Sequence, residues 1–357
     1  MKGKLSHGES ANSDMNDREK YISPFSTRYA SAQMQHVFSE DFKFRTWRRL
    51  WISLAKAEKK LGLDITDEQI AELEAHRDDV NFEVAEERER EVRHDVMSHV
   101  YAYGKQCPKA EGIIHLGATS CYVGDNTDVI ILREASEIIL KKAAQVVRNL
   151  SAFAEKYTHL QPAQLTTVGK RATLWAYELC DDIDELEHRL SKLKLLGSKG
   201  TTGTQASFME LFSGDEEKVK KLESLIAEDT GFDGCVCVSG QTYSRKVDAN
   251  FLATLSGFAQ SAYKFANDLA YFSRLKRSRS RSRRIRSARP RCRTREIPCA
   301  PSVSAHLRDT SSAIRSTPRL LLRRSGLSAR STIRQTSASP WRKRSLRWIR
   351  YSIYTST

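Results

Sequence analysis

Three stretches of about 30 residues carry apolar side chains spaced by threes and fours, and this limits the fold more than any other feature of the chain. The first runs from about Asp125 to Glu155 and aligns Leu132, Ala135, Ile139, Ala143, Val146 and Leu150. The second begins after Pro162 and repeats Leu165, Val168, Ala172, Trp175, Leu179, Ile183, Leu186, Leu190 and Leu193. The third repeats Val247, Phe251, Leu255, Phe258, Ala262, Phe265, Leu269 and Phe272. As helices each would reach ~45 Å. None contains the run of ~18 apolar residues that a membrane span needs. Such stripes must be buried against one another or against another subunit. Strand signals are few, so the spacing predicts an all-α body built on long helices.

Shorter helical patterns precede these. Asp41 to Leu61 places Phe42, Trp47, Leu50, Trp51, Leu54 and Ala55 on one face, with Gly62 as a stop. Thr66-Asp67-Glu68-Gln69 opens a short helix with a cap-like start. Residues 80–104 read as one further helix ending near Gly104. Gly112, Gly117 and Gly124 mark a loop-rich stretch. The expected divisions are a disordered start over 1–23, an N-terminal helical domain over 24–118, an incomplete long-helix domain over 119–276, and a basic tail over 277–357.

Charge separates the tail from the body. The chain has 59 Lys+Arg against 44 Asp+Glu, a net charge of +15. Residues 277–357 hold 22 of the basic groups and only Glu296 and Asp309 as acids, so the body by itself is acidic. The tail has 21 Arg and 17 Ser in 81 residues and keeps no helical or strand period. Too little apolar surface can be buried there to offset ordering, so disorder is expected. Its only expected partner is nucleic acid, held nonspecifically by charge. The first twenty residues lack the apolar centre of a secretory signal. Seven cysteines without Cys-x-x-Cys spacing argue for reduced thiols and against a zinc module. Together these features suggest a soluble, cytoplasmic protein with no membrane partner.

Polar clusters lie between or beside the helices. They are Arg93-His94-Asp95, Gly117-Ala118-Thr119-Ser120, Thr158-His159-Leu160-Gln161-Pro162, the Gly/Thr-rich run 199–207, and Ser239-Gly240-Gln241-Thr242-Tyr243-Ser244-Arg245. Hydroxyls and backbone N–H groups in such loops suit carboxylate and phosphate oxygens. Two histidines supply groups that titrate near neutrality. Each cluster also has a plainer reading. His94 could be an ordinary helix histidine, with Arg93 and Asp95 as a local ion pair on a solvated face. Thr119-Ser120 could cap the next helix, Pro162 could start one, and 199–207 could be merely flexible. Gly200 to Gly203 is no P-loop, because the Gly-Lys-Ser/Thr ending is absent. His94 and His99, five apart, have the wrong helical spacing for paired metal ligands.

Taken together and in order, the wording of these clusters over residues 24–276 resembles the adenylosuccinate lyases of the fumarase/aspartase superfamily. The resemblance rests on Ser26-Thr27-Arg28-Tyr29, Arg93-His94-Asp95-Val96-Met97, the run from His115 through Cys121, Tyr122 and Asn126 to Asp128, residues 158–170, 199–207 and 240–248. It implies a carbon–nitrogen lyase of purine and AMP biosynthesis. The reaction would be β-elimination of fumarate from adenylosuccinate and from a succinyl-carboxamide ribotide. By the same resemblance His159 is the acid that protonates the leaving nitrogen, with His94 beside it. Thr119, Ser120 and Thr158 would hold carboxylate, and Arg28, Tyr29, Arg93, Asp95 and Gln241 the nucleotide. It implies a homotetramer and no metal or organic cofactor. The alternatives are another lyase of the superfamily, such as an argininosuccinate lyase, or a non-catalytic protein acting on nucleic acid through its tail.

Two departures bear on activity. Phe153 to Tyr157 runs straight into Thr158-His159, where the family has a longer connection that lets the chain reverse. The family's Gly-Ser-Ser-x-Met-Pro-x-Lys-x-Asn loop, with the serine expected to take the substrate proton, is absent after Lys276. The chain is therefore expected to be truncated and impaired. The genetic code allows Arg293 to Pro301, read one base earlier, to encode Pro-Tyr-Lys-Arg-Asn-Pro-Met-Arg-Ser, which fits that missing loop. Residues 277–357 thus read as a frame-shifted translation. Sequencing the messenger RNA across the Lys276 codon is expected to reveal one extra or missing base. A message that reads as the protein does overturns this.

Overall fold

The structure, a computed structural model, describes residues 30–157 and 166–274. The segments 1–23 and 277–357, assigned above as start and tail, lie outside the described residues. Ten α-helices occur among those described. They are α1 (Ala32–Val37), α2 (Glu40–Lys60), α3 (Asp67–Ala75), α4 (Phe82–Val92), α5 (Asp95–Gln106), α6 (Ser120–Lys156), α7 (Val168–Ser191), α8 (Ala206–Leu211), α9 (Glu216–Asp229) and α10 (Lys246–Arg274). Outside the helices, Leu195 and Cys235 form an isolated parallel bridge. No described helix is long and apolar enough to cross a membrane.

The local signals act where the sequence puts them. The Ser39 hydroxyl caps α2 by accepting the Phe42 N–H at 3.1 Å. Thr66 and Gln69 form a reciprocal capping box at α3. The α2 face is buried through Trp47, Leu50, Trp51 and Leu54, and full burial of one such side chain is worth ~1.5–3 kcal/mol. One apolar cluster runs continuously from Met34 to Phe258.

The three apolar stripes meet as the spacing requires. In α6, Leu132, Ala135, Ile139, Ala143 and Val146 are buried. Helix α7 folds back along it: Gly169 N–H donates to the Tyr157 carbonyl at 2.7 Å, and Ala172 and Trp175 pack on Leu150 and Phe153. A Cβ at Gly169 would strike the Ala154 carbonyl, so the close approach needs glycine here. Helix α10 runs antiparallel to α7. Trp175 Nε1 donates to Asp268 at 2.8 Å, Lys264 pairs with Glu178 at 3.2 Å, and the Ser261 hydroxyl donates to Asp182 at 2.5 Å.

The structure corrects two expectations. Gly124, read above as part of a loop-rich stretch, lies inside α6. Residues 80–104 form two helices, with a break at Arg93-His94. Arg93 is left-handed (φ 53°, ψ 37°) and His94 is extended (φ −144°, ψ 105°). A left-handed arginine carries a conformational penalty that solvent alone does not repay. The break persists because His94 starts a new helix as its cap and Val96, Ser98, Ala102 and Tyr103 of α5 are buried. Helices α1, α8 and α9 have no counterpart among the sequence patterns.

Within the core, Glu58 of α2 is fully buried and neither carboxyl oxygen has a hydrogen-bond partner. Burial alone pushes its pKa from 4.5 up to about 8. The folded state therefore keeps a proton that the unfolded state has released. The stability tied to this group is complete below pH 4.5 and is lost as pH rises towards 8. Glu58→Gln should gain stability over the parent by about 1 kcal/mol per pH unit across this window, measured by urea unfolding at several pH values. Parallel pH curves for the two proteins overturn the assignment.

Candidate active site

The first two turns of α6 gather the polar loops. Thr119 stands at the N-cap position, yet its hydroxyl donates to the Lys199 carbonyl at 3.1 Å and makes no cap bond. Its side chain is thus committed to a loop 80 residues away. Ser120 opens the helix beside it. Further along, Asn126 is fully buried and grips the same loop twice. Its Nδ2 donates to the Gly197 carbonyl, and its Oδ1 accepts the Gly197 N–H, both at 3.2 Å. Asp125 Oδ2 accepts the Tyr243 N–H at 2.9 Å and pairs with Arg245 at 3.5 Å. That contact anchors the loop that carries Gln241.

The Gly/Thr loop is ordered by its own bonds. Gly200 N–H donates to the Thr204 carbonyl at 2.7 Å, Gly203 N–H to the Gly200 carbonyl at 3.0 Å, and Gln205 Nε2 to the Ser198 hydroxyl at 3.0 Å. Gly203 has φ +82°, and a Cβ there would collide with the Ser239 carbonyl. The loops 199–207 and 239–245 therefore touch backbone to backbone. The loop that accepts the Thr119 hydroxyl thus meets the loop that carries Gln241, next to the positive end of a 37-residue helix. Hydroxyls and backbone N–H groups there suit a carboxylate.

Arg93, His94 and Asp95 sit at the α4–α5 break, where all three are accessible. His94 Nδ1 accepts the Met97 N–H at 3.2 Å, so the ring is the N-cap of α5. Asp95 lies 3.9 Å from His94 and accepts the Val96 N–H at 2.8 Å. That long contact joins His94 and not Arg93 to Asp95, and it lies in a connector and not on a helix face. Arg28, Tyr29, Thr158 and His159 lie outside the described residues.

Sequence reasoning gives no separate role to His115. This residue is left-handed (φ 67°) and accepts the Trp51 Nε1–H at Nδ1, 2.9 Å away. That bond leaves the proton on Nε2 in the neutral ring. Burial, with His94 nearby adding repulsion, lowers its pKa to about 4. No motif of spacing announces this; the fixed tautomer depends on a tryptophan 64 residues earlier.

A second buried group lies behind the Gln241 loop. Tyr243 donates its hydroxyl to Asp248 at 2.6 Å, and Arg245 stacks over the Tyr243 ring at 4.4 Å. Burial and the neighbouring Asp125 push Asp128 up to about 7, and burial holds Asp248 at about 6. Burial works against the Arg245 charge, but Tyr243, Asp125 and Asp248 outweigh it and raise its pKa.

A sequence model of the family described as "Lyase" matches residues 26–278. The chain belongs to this lyase family. It is 48% identical over 273 residues to an adenylosuccinate lyase of Schizosaccharomyces pombe and 49% identical over 273 residues to one of Saccharomyces cerevisiae. Each match covers 73% of this chain and 57% of the relative, so the chain spans little more than half the length of these relatives. Among solved structures, the fold is similar to a 3-carboxy-cis,cis-muconate lactonizing enzyme from Pseudomonas putida. The TM-score is 0.70 at 18% identity, covering 93% of this chain and 76% of that one. A fumarate lyase from Mesorhizobium sp. BNC1 gives 0.70 at 18% identity, covering 91% and 74%. At that identity the likeness is one of fold alone, an all-α architecture.

His94 tests the cap reading directly. Asparagine is an excellent N-cap, so His94→Asn should unfold within about 0.5 kcal/mol of the parent, whereas His94→Ala should lose about 1 kcal/mol. Urea unfolding monitored by circular dichroism measures both. Equal losses overturn the cap role.

Proposed function

We propose that residues 26–278 are the site-bearing part of an adenylosuccinate lyase. The proposed reaction removes a proton from the succinyl group and expels the amino nitrogen, giving fumarate and AMP. The succinyl-carboxamide ribotide is cleaved in the same way. The observation that carries this is the 48–49% identity to the two yeast adenylosuccinate lyases, maintained over 273 residues. The attachment of the 199–207 and 239–245 loops to the start of α6 supports it.

The roles are those that the family resemblance implies. Ser120, Thr158 and, once its hydroxyl turns from the Lys199 carbonyl, Thr119 hold the succinyl carboxylates, and His159 protonates the departing nitrogen, with His94 alongside. Arg28, Tyr29, Arg93, Asp95 and Gln241 take the nucleotide. Deprotonation puts charge on the adjoining carboxylate, so donors fixed beforehand at that oxygen lower the barrier most. The working unit is a cytoplasmic homotetramer. Leu174 and Tyr177 on α7 and Tyr271 on α10 are exposed apolar surface of the kind that another subunit would cover. Nucleic acid meets the tail by nonspecific charge alone.

This chain by itself is impaired, because the sequence after Lys276 carries no Gly-Ser-Ser loop to supply the base. The family match ends at residue 278, which supports a change of reading frame there. Two proteins test the proposal: the 357-residue chain and a version with the frame restored after Lys276. Chromatographic assay of fumarate should find release from adenylosuccinate by the restored protein and none by the chain. Turnover of argininosuccinate by the restored protein, or no turnover of either compound, overturns the assignment.

A further inference from the structure

We propose that Glu223, on a helix that carries none of the candidate substrate residues, is the positioning residue for the carboxylate-binding end of the site. It acts through Lys199 and Ser198. For the role of Thr119 this rests on the adenylosuccinate lyase reading. One oxygen of Glu223 accepts both the Lys199 ammonium at 2.6 Å and the Ser198 N–H at 3.2 Å. Lys199 is 4% exposed, so its charge has no solvent alternative to this carboxylate. The carbonyl of the same Lys199 accepts the Thr119 hydroxyl at 3.1 Å. A continuous series of contacts therefore runs from α9, through one loop residue, to the first turn of α6.

The fit is tight at its centre. Gly197 has φ +82°, and a Cβ there would run into Glu223 Oε1 and the Cys235 side chain. Only glycine lets the loop pass close enough for Ser198 to reach the carboxylate. Attachment of α9 does not need the ion pair, since Val219, Leu222 and Ile226 are already buried. A buried pair adds little net stability over an apolar pair of similar volume, but it does fix one register. The register fixed here is that of the Gly197–Gln205 loop against Thr119.

The test uses the full 357-residue chain, threonine-methyl-labelled for NMR, with Glu223→Gln, Glu223→Ala and the double variant Lys199→Met/Glu223→Leu. The double variant removes both charges at similar volume and so guards against simple unfolding. Amide exchange within 197–205 should quicken about tenfold in Glu223→Ala and in the double variant. Glu223→Gln, which still accepts the Ser198 N–H, should quicken it less. The Thr119 methyl signal should move in Glu223→Ala and in the double variant, while the double variant keeps the parent's melting temperature. Unchanged exchange and an unmoved Thr119 signal overturn the proposal. So does full restoration of both by the double variant, which would make the pair a stability element only. Titration of the parent with adenylosuccinate separates failure of the substrate reading from failure of the Glu223 role. No movement of the Thr119 signal rejects Thr119 as a substrate contact, while exchange in 197–205 still decides Glu223.

Discussion

The candidate site depends on two adjacent polar residues in the second turn of α6. Asp125 and Asn126 point into a region that helix packing makes dry, and a buried amide or carboxylate without partners costs several kcal/mol. Within α6, the Tyr122 carbonyl accepts from Asn126 Nδ2 at 2.8 Å. Further partners come from two loops, the Gly197 backbone on one side and the Tyr243 N–H and Arg245 side chain on the other. The need to satisfy this pair draws residues 71 and 118 positions apart in sequence to one helix end. Thr119 and Gln241 lie in the surroundings that result.

The same logic explains why so much charge lies behind the site. Asp125, Asp128 and Asp248 gather around Arg245 and Tyr243, and burial raises the pKa of both Asp128 and Asp248. Such carboxyls lower folding stability near neutral pH. In return they hold the 239–245 loop by directional bonds, which apolar packing cannot supply. Loop geometry here is maintained against stability, as is common where groups must be held ready for a ligand.

How much of this is legible in the sequence follows the range of the interactions. The apolar stripes of α6, α7 and α10 can be read because periodicity is a local record of burial, and Thr66-Gln69 because a capping box is complete within four residues. The break at Arg93-His94 cannot be read. Nothing in Glu-Val-Arg-His-Asp forbids a continuous helix; packing of α5 decides it. Nor can α9 be recognised as the support of the Lys199 loop, since Glu223 meets its partners only after the chain has turned back. The polar clusters are visible as composition, but the attachment of the 199–207 and 239–245 loops to the start of α6 is not. The neutral state of His115 is equally hidden, because it depends on Trp51 in α2.

These ranges have a mechanistic consequence. Donors that stabilise a developing carboxylate charge must be fixed before the reaction, because reorganisation during it would consume the benefit. In the proposed reaction the backbone around Thr119 and Ser120 meets this condition without any residue beyond Arg274, whereas the Thr119 hydroxyl must turn from the Lys199 carbonyl to donate to substrate. The loop to which Thr119 bonds is held by Glu223, and the loop carrying Gln241 by Asp125. Proton removal is different: it requires a base at the substrate carbon, and in the family resemblance that base comes from a loop beyond Lys276. Substrate orientation and proton removal are thereby assigned to separate parts of the chain. A change of reading between them removes the chemical step while leaving the orienting scaffold intact.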